Sequence, residues 1–265
     1  MSIKVSPVHS INELRCKHLR ETALIGFFLG GCAIASLFLI LHAWFVSYNV
    51  VEFAFGSHIF LFHVVFHLTE FLVASSIVSH NVHPSAFMLF HSKEFRFACG
   101  SALVEFWVES CLIPNHLKLF GEALPTTALG KALCFCFRLS FPSVVLFEFL
   151  ATFCYMIRVV AIINCGSNFS LVIESEKRDT HILVDSGLYA YFRHPSYFGW
   201  FWRVIFSQFA IANPVCLIFH TIITWYFFKI RIPYEEHIME REDFFGKTYT
   251  KYKKSTFVGI PFIST

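Results

Sequence analysis

From Thr22 to Tyr48 the chain runs without a single Asp, Glu, Lys or Arg. A run of that length leaves few folds open, because about 20 apolar residues in a helix cross the hydrocarbon core of a bilayer. Composition points the same way. The chain is 56% hydrophobic and only 15% charged, whereas soluble domains carry about 25% charged residues. A net charge of +3, with no basic stripe interleaved with aromatics, argues against a nucleic-acid partner.

Six apolar segments are expected to be transmembrane helices: Thr22 to Tyr48, Ser57 to Val78, Phe95 to Ile113, Pro142 to Ile163, Tyr197 to Ala212 and Val215 to Lys229. The expected fold is therefore all-α, a polytopic membrane bundle. The fourth boundary is blurred, because Leu129 to Cys165 is interrupted by Arg138, Pro142, Glu148 and Arg158. The last two segments are short and joined by Asn213-Pro214, a turn signal, so a tight helical hairpin is expected. The whole chain, 1–265, reads as one domain, with membrane helices over 1–163 and a cofactor-binding and catalytic region over 164–265. The N-terminal arm, with Lys4, Arg15, Lys17 and Arg20, is basic, and so is the tail with Arg241, Lys247, Lys251, Lys253 and Lys254. Both termini are therefore expected in the cytosol. The apolar run after residue 20 is too long for the core of a cleavable signal peptide. Nine Cys lie mostly inside apolar runs without a CxxC pair, and read as small apolar residues rather than disulfides. On this topology the sequon at Asn168 is unused.

The segment from Asp179 to Trp202 is a polar strip running straight into a hydrophobic helix. Anchoring alone needs only Lys or Trp at such a boundary. Here Arg193, His194, Ser196 and Tyr197 crowd together. Arg231 and Glu235, four residues apart beyond the last apolar segment, have a plain explanation as a surface ion pair worth a few tenths of a kcal/mol. The hairpin changes the weighing, since it returns both beside Arg193, His194 and Tyr197. Convergence of cations, carboxylate, imidazole and phenol is the signature of a site.

Arg193-His194-Pro195-Ser196-Tyr197, Gly199-Trp200, Asn213-Pro214, Glu235-Glu236, Phe244-Phe245-Gly246 and Gly259-Ile260-Pro261-Phe262-Ile263 occur in order. Gly166-Ser167-Asn168-Phe169 and His181-Ile182-Leu183-Val184 precede them. This ordered set resembles the isoprenylcysteine carboxyl methyltransferase family, whose members methylate the C-terminal prenylcysteine of processed CaaX proteins. The match is dense from Gly166 to Ile263 and thinner upstream. The resemblance implies an endoplasmic reticulum membrane enzyme, S-adenosylmethionine as cofactor, and prenylated CaaX-type proteins as substrates. It implies cofactor contacts from Glu174, His181, Ile182, Leu183, Val184, Tyr189, His194, Pro195, Ser196, Tyr197 and Glu235. It also implies that Arg231 meets the substrate carboxylate, with Arg231 and Glu235 as the catalytic pair. No glycine-rich Rossmann loop is present. Arg193 to Tyr197 alone is less specific, being similar to motifs of sterol reductases, so an NADPH-dependent membrane reductase is the alternative enzyme.

Five positions depart from the family pattern. Leu171 stands for His, Glu174 for Gln, Arg203 and Phe206 for Trp and Gly, and Pro233 falls between Arg231 and Glu235. They leave open a paralogue that binds prenylated tails without methylating them. The histidines His58, His63, His67, His80, His83 and His91 include an i,i+4 pair at His63 and His67. No later HxxHH box accompanies them, so no metal is expected. The plainer expectation is interhelical hydrogen bonding among His67, Glu70, Glu94, Glu105 and Glu109. The Lys- and Tyr-rich segment Lys247 to Lys254 is expected to anchor at anionic headgroups.

Overall fold

The structure, a computed structural model, describes residues 7–77, 83–89, 92–113 and 125–264. The chain divides into two compact units, Met1–Lys93 and Glu94–Thr265. The described residues are helical, with one isolated parallel bridge, Phe192 to Phe257.

In the first unit, α1 (Pro7–His42) ends in a π-helical turn, and Tyr48 then takes a left-handed conformation. Asn49 caps α2 (Val50–His58) through the amides of Val51 and Glu52, and a π-helical stretch links it to α3 (Phe66–Ile77). A Cβ on Gly56 would stand 2.9 Å from the Ser36 carbonyl, so α1 and α2 approach closely there. Phe27, Leu24 and Phe38 are exposed, which is the expected state of a lipid-facing helix surface.

The second unit holds α4 (Lys93–Trp107), α5 (Ala128–Phe137), α6 (Phe141–Cys165), α7 (Pro195–Ala210), α8 (Pro214–Met239) and α9 (Lys247–Ser255). The blurred fourth segment resolves into two helices. Ser140 forms a reciprocal capping box with Ser143 and Pro142 sits in the first turn, so the chain restarts a helix after Arg138. Asn213-Pro214 makes the expected turn. Asn213 is buried there and donates to the Ala102 carbonyl at 2.7 Å.

Among the described residues, four helical stretches are long and apolar enough to cross a membrane: Glu13–Ser47, Val50–Ile77, Phe141–Asn168 and Pro214–Met239. The two other expected segments fall short for different reasons. α7 has 16 residues, and α4 carries Lys93, Glu94, Arg96 and Glu105. The last segment is longer than expected. α8 continues ten residues past Lys229, through Pro233, so Arg231 and Glu235 lie on the helix body rather than beyond it.

Glu105 bonds across helices, with the backbone of α8 as its hydrogen-bond partner. Its carboxylate accepts from the amides of Val215 at 2.7 Å and Cys216 at 2.6 Å, satisfying the N-terminus of α8. His67 donates to the Phe87 carbonyl at 2.7 Å. Among the described residues no group of three His, Cys, Asp or Glu is placed to hold a metal, and His80 and His91 lie outside those residues. All nine cysteines are free thiols.

Candidate active site

Helix α7 opens on the polar strip. Pro195 occupies its first turn, where a missing amide costs nothing. Gly199 lets α7 lie against α6, since a Cβ there would stand 2.5 Å from the Cys154 carbonyl and 2.8 Å from the Arg158 amide nitrogen. That approach brings Arg158 Nη1 within 2.7 Å of Ser196 Oγ, so a buried cation on α6 fixes the first turn of α7.

The C-terminal segment closes on the same turn. The Arg193 amide donates to the Phe257 carbonyl at 2.8 Å, and the Phe257 amide to the Tyr191 carbonyl at 2.9 Å. Gly259 has φ +80°, and its missing side chain admits the rings of Phe192 and Phe198. Trp202 and Trp225 donate to the carbonyls of Gly259 and Pro261, while Val258, Ile260 and Ile263 pack with Phe201, Phe228 and Ile232. The closing motif therefore bolts α7 to α8.

A cavity lies between this assembly and the loop after α6. Of the residues expected at the cofactor, Glu174, His181, Ile182, Leu183, Val184, Tyr189, His194, Ser196, Tyr197 and Glu235 line it and Pro195 does not; Arg231, expected at the substrate carboxylate, also lies off its wall. On the wall the Tyr197 hydroxyl donates to Glu235 Oε2 at 2.5 Å and accepts from Arg231 Nε at 2.9 Å. Arg231 and Glu235 stand 3.9 Å apart, so Pro233 leaves their i,i+4 relation standing. Arg231 Nη2 also donates to the Leu171 carbonyl at 2.7 Å, a bond that any side chain at position 171 permits.

Also on the wall, the Ile182 amide donates to Asn168 Oδ1 at 3.0 Å, which positions the segment from His181 to Val184. Asn168 Nδ2 bonds the Cys165 carbonyl, so the sequon side chain is engaged on both sides. Arg178 Nε lies 2.9 Å from Glu174 Oε2 and donates to His181 Nε2 at 3.1 Å. Burial pushes the His181 imidazole below its usual value, and Arg178 and Lys177 add to this against the opposing charge of Glu174.

Glu236, only 1% exposed, accepts from the cavity-lining Arg193 Nε at 2.8 Å and His194 Nε2 at 3.1 Å, and pairs with Lys253 at 3.1 Å. Arg193 Nη1 donates to the carbonyls of Thr256 and Lys253. Helix α9 is thus more than a surface anchor. Tyr249 and Tyr252 are buried against the cavity and Lys253 joins the charge network. Tyr252 donates to the Tyr189 carbonyl at 2.7 Å. The Tyr249 hydroxyl is buried and has no hydrogen-bond partner among the described residues.

The sequence points to no site role for Arg158 or Glu236, and reads Tyr249, Tyr252 and Lys253 only as part of an interfacial anchor. A signal existed for Arg158, a cation in an apolar run that demands a partner. For Tyr249 and Tyr252 it was the i,i+3 spacing that aligns both rings on one helix face. Arg203 replaces an aromatic by placing its guanidinium 4.2 Å from the centre of the Tyr155 ring, and Phe206 stacks on Trp202.

Residues 145–241 match the family model described as the isoprenylcysteine carboxyl methyltransferase (ICMT) family. Protein-S-isoprenylcysteine O-methyltransferase of Saccharomyces cerevisiae is 31% identical over 258 residues, covering 96% of each chain. The Dictyostelium discoideum protein of that name is 36% identical over 196 residues, 74% of this chain and 73% of its own. The Xenopus laevis protein is 36% identical over 198 residues, 75% of this chain and 61% of its own. This chain spans 61% and 63% of the frog and Tribolium castaneum relatives. A solved structure of the eukaryotic intramembrane Ras methyltransferase ICMT superposes with a TM-score of 0.72 at 28% identity, covering 98% of this chain and 88% of that one. The chain belongs to the isoprenylcysteine carboxyl methyltransferase family and is a multi-pass membrane protein.

Proposed function

We propose that this protein methylates the C-terminal prenylcysteine carboxylate of processed CaaX proteins, using S-adenosylmethionine. The observation that carries the reading is the single phenol, Tyr197, that lines the cavity and holds Arg231 and Glu235 together.

The donor chemistry of the cavity suits that cofactor. Glu174 and Glu235 offer carboxylates to its cationic groups, while Ile182, Leu183, Val184, Phe244 and Phe245 offer apolar surface to its base. His181, Tyr189, His194, Ser196 and Tyr197 complete the wall, and Pro195 shapes the turn that presents them. When bound, S-adenosylmethionine supplies an electrophilic methyl group on a sulfonium.

A C-terminal carboxylate has a reference pKa of about 3.5 and is ionised at neutral pH, so no general base is needed. Methylation of that carboxylate would move no proton, so none of the lining side chains has to act as acid or base. What the protein supplies is alignment. The Arg231 guanidinium can hold the carboxylate by paired hydrogen bonds, and its existing bonds to Tyr197 and Leu171 fix its plane.

The apolar helices of the described residues give a prenyl chain a lipid route, while the polar loop from Gly166 to His194 gives a soluble cofactor an aqueous one. With α4 and α7 as two shorter spans, six crossings return both termini to the cytosolic side of the endoplasmic reticulum membrane. The 16 residues of α7 reach about 24 Å, which a locally thinned or indented bilayer accepts.

The test is transfer of labelled methyl from S-adenosylmethionine to a farnesylcysteine analogue by the purified protein, beside Arg231→Ala. Base-labile label that Arg231→Ala loses is the expected result. Label that survives the substitution would remove Arg231 as the carboxylate clamp. No label from folded, cofactor-loaded protein would leave a prenyl-binding paralogue, and stabilisation by NADPH instead would indicate a reductase.

A further inference from the structure

Four phenols line the cavity, and three of them are already committed, Tyr189 by a hydrogen bond with Cys165. Tyr197 bridges Arg231 and Glu235, and Tyr252 donates to the Tyr189 carbonyl. Tyr249 is different. It is 1% exposed, lies on the cavity wall, and its hydroxyl has no hydrogen-bond partner among the described residues. A buried hydroxyl without a partner is destabilising relative to the Phe that would fill the same space. The position is also tightly held. Tyr249 sits in the first turn of α9, its amide bonded to the Gly246 carbonyl at 3.1 Å and its ring tilted against Tyr252 at 5.8 Å.

We propose that the Tyr249 hydroxyl is a further ligand-binding group of this cavity, donating a hydrogen bond to an oxygen of the bound cofactor. This rests on the S-adenosylmethionine reading given above. Burial, with Glu236 and Glu235 acting against the opposing charge of Arg193, pushes the phenol above its usual value, so it remains a neutral donor at physiological pH. The ligand supplies the partner that the protein does not, and binding turns an unfavourable group into a favourable one.

Affinity for S-adenosylhomocysteine is measured by calorimetry on the full chain in detergent, together with the melting temperature without ligand. Tyr249→Phe is expected to weaken binding about tenfold while leaving the ligand-free melting temperature equal to or above that of the wild type. Tyr252→Phe, which breaks an internal bond, is expected to lower the ligand-free melting temperature. Wild-type affinity in Tyr249→Phe would overturn the proposal. So would a ligand-free melting temperature that falls as it does in Tyr252→Phe, since the hydroxyl would then be structural. Wild-type protein that fails to bind S-adenosylhomocysteine would instead overturn the cofactor reading, and the proposal with it.

Discussion

Arg193 and Glu236 meet at 2.8 Å with side-chain exposures of 6% and 1%, an ion pair withdrawn from water on both sides. Taking two charges out of water is costly, and the pair holds only because further groups engage both partners. Glu236 also takes His194 and Lys253, while Arg193 reaches back to the carbonyls of Lys253 and Thr256. Strip, hairpin and tail thus converge on one carboxylate.

Glu236→Ala leaves Arg193 buried without its carboxylate. The expected loss is about 3–5 kcal/mol, read as a large fall in melting temperature, with cofactor affinity falling too because His194 is released. Glu236→Gln keeps an acceptor oxygen and should lose less. Equal melting temperatures for wild type and Glu236→Ala would show that the network carries no stability.

Tyr197 is expected to act differently, since it holds the two groups proposed to meet ligand. Tyr197→Phe removes one bond to a guanidinium and one to a carboxylate while keeping the ring stacked on His194 and Phe228. Bonds to charged groups are worth enough that kcat/KM for methyl transfer should fall about ten- to a hundredfold, with little change in melting temperature. Unchanged kinetics would mean that Arg231 and Glu235 are aligned without the phenol. Leu171→His offers the contrast. The Arg231 bond goes to the backbone carbonyl there, so the KM for the prenylcysteine substrate should hold.

Much of this was legible in the sequence because it rests on local chemistry. A charge-free run reads as a helix in lipid, and Asn213-Pro214 reads as a turn whatever surrounds it. The convergence of Tyr197 with Arg231 and Glu235 followed from the hairpin alone. The rest depends on contacts between distant segments. Nothing near Glu105 announces that it serves the amides of α8, and the span ending at Lys229 underestimated that helix because polarity rises before the backbone turns. Helix α9 misled because its lysines and tyrosines alternate like an interfacial anchor, whereas tertiary packing turns Tyr249 and Tyr252 inward.

His181 makes the protein sensitive to mild acid. Its folded pKa lies below the ordinary value of 6.5, so between the two values the unfolded chain binds more protons. Stability therefore rises with pH in that window, is fully present above 6.5, and is lost as pH falls toward the folded value. Melting temperature should drop as pH falls below 6.5, and His181→Gln should flatten the drop. An identical slope in the variant would assign the sensitivity to another group.

Gly199 tests whether the site depends on helix packing rather than on its polar groups alone. Any Cβ at this position meets the Cys154 carbonyl and the backbone and side chain of Arg158, none of which can rotate away as the tip of a flexible side chain would. Gly199→Ala should therefore push α7 off α6, at a cost of about 1–3 kcal/mol. Ser196 moves with that turn, so its 2.7 Å bond to Arg158 stretches and the cavity wall shifts with it. Melting temperature and S-adenosylhomocysteine affinity should fall together. Ser196→Ala, which breaks the same bond without forcing the helices apart, should reduce affinity more than stability. If Gly199→Ala melts as the wild type does, α6 and α7 have room that the observed separation does not show, and the first turn of α7 must be placed by the C-terminal segment instead.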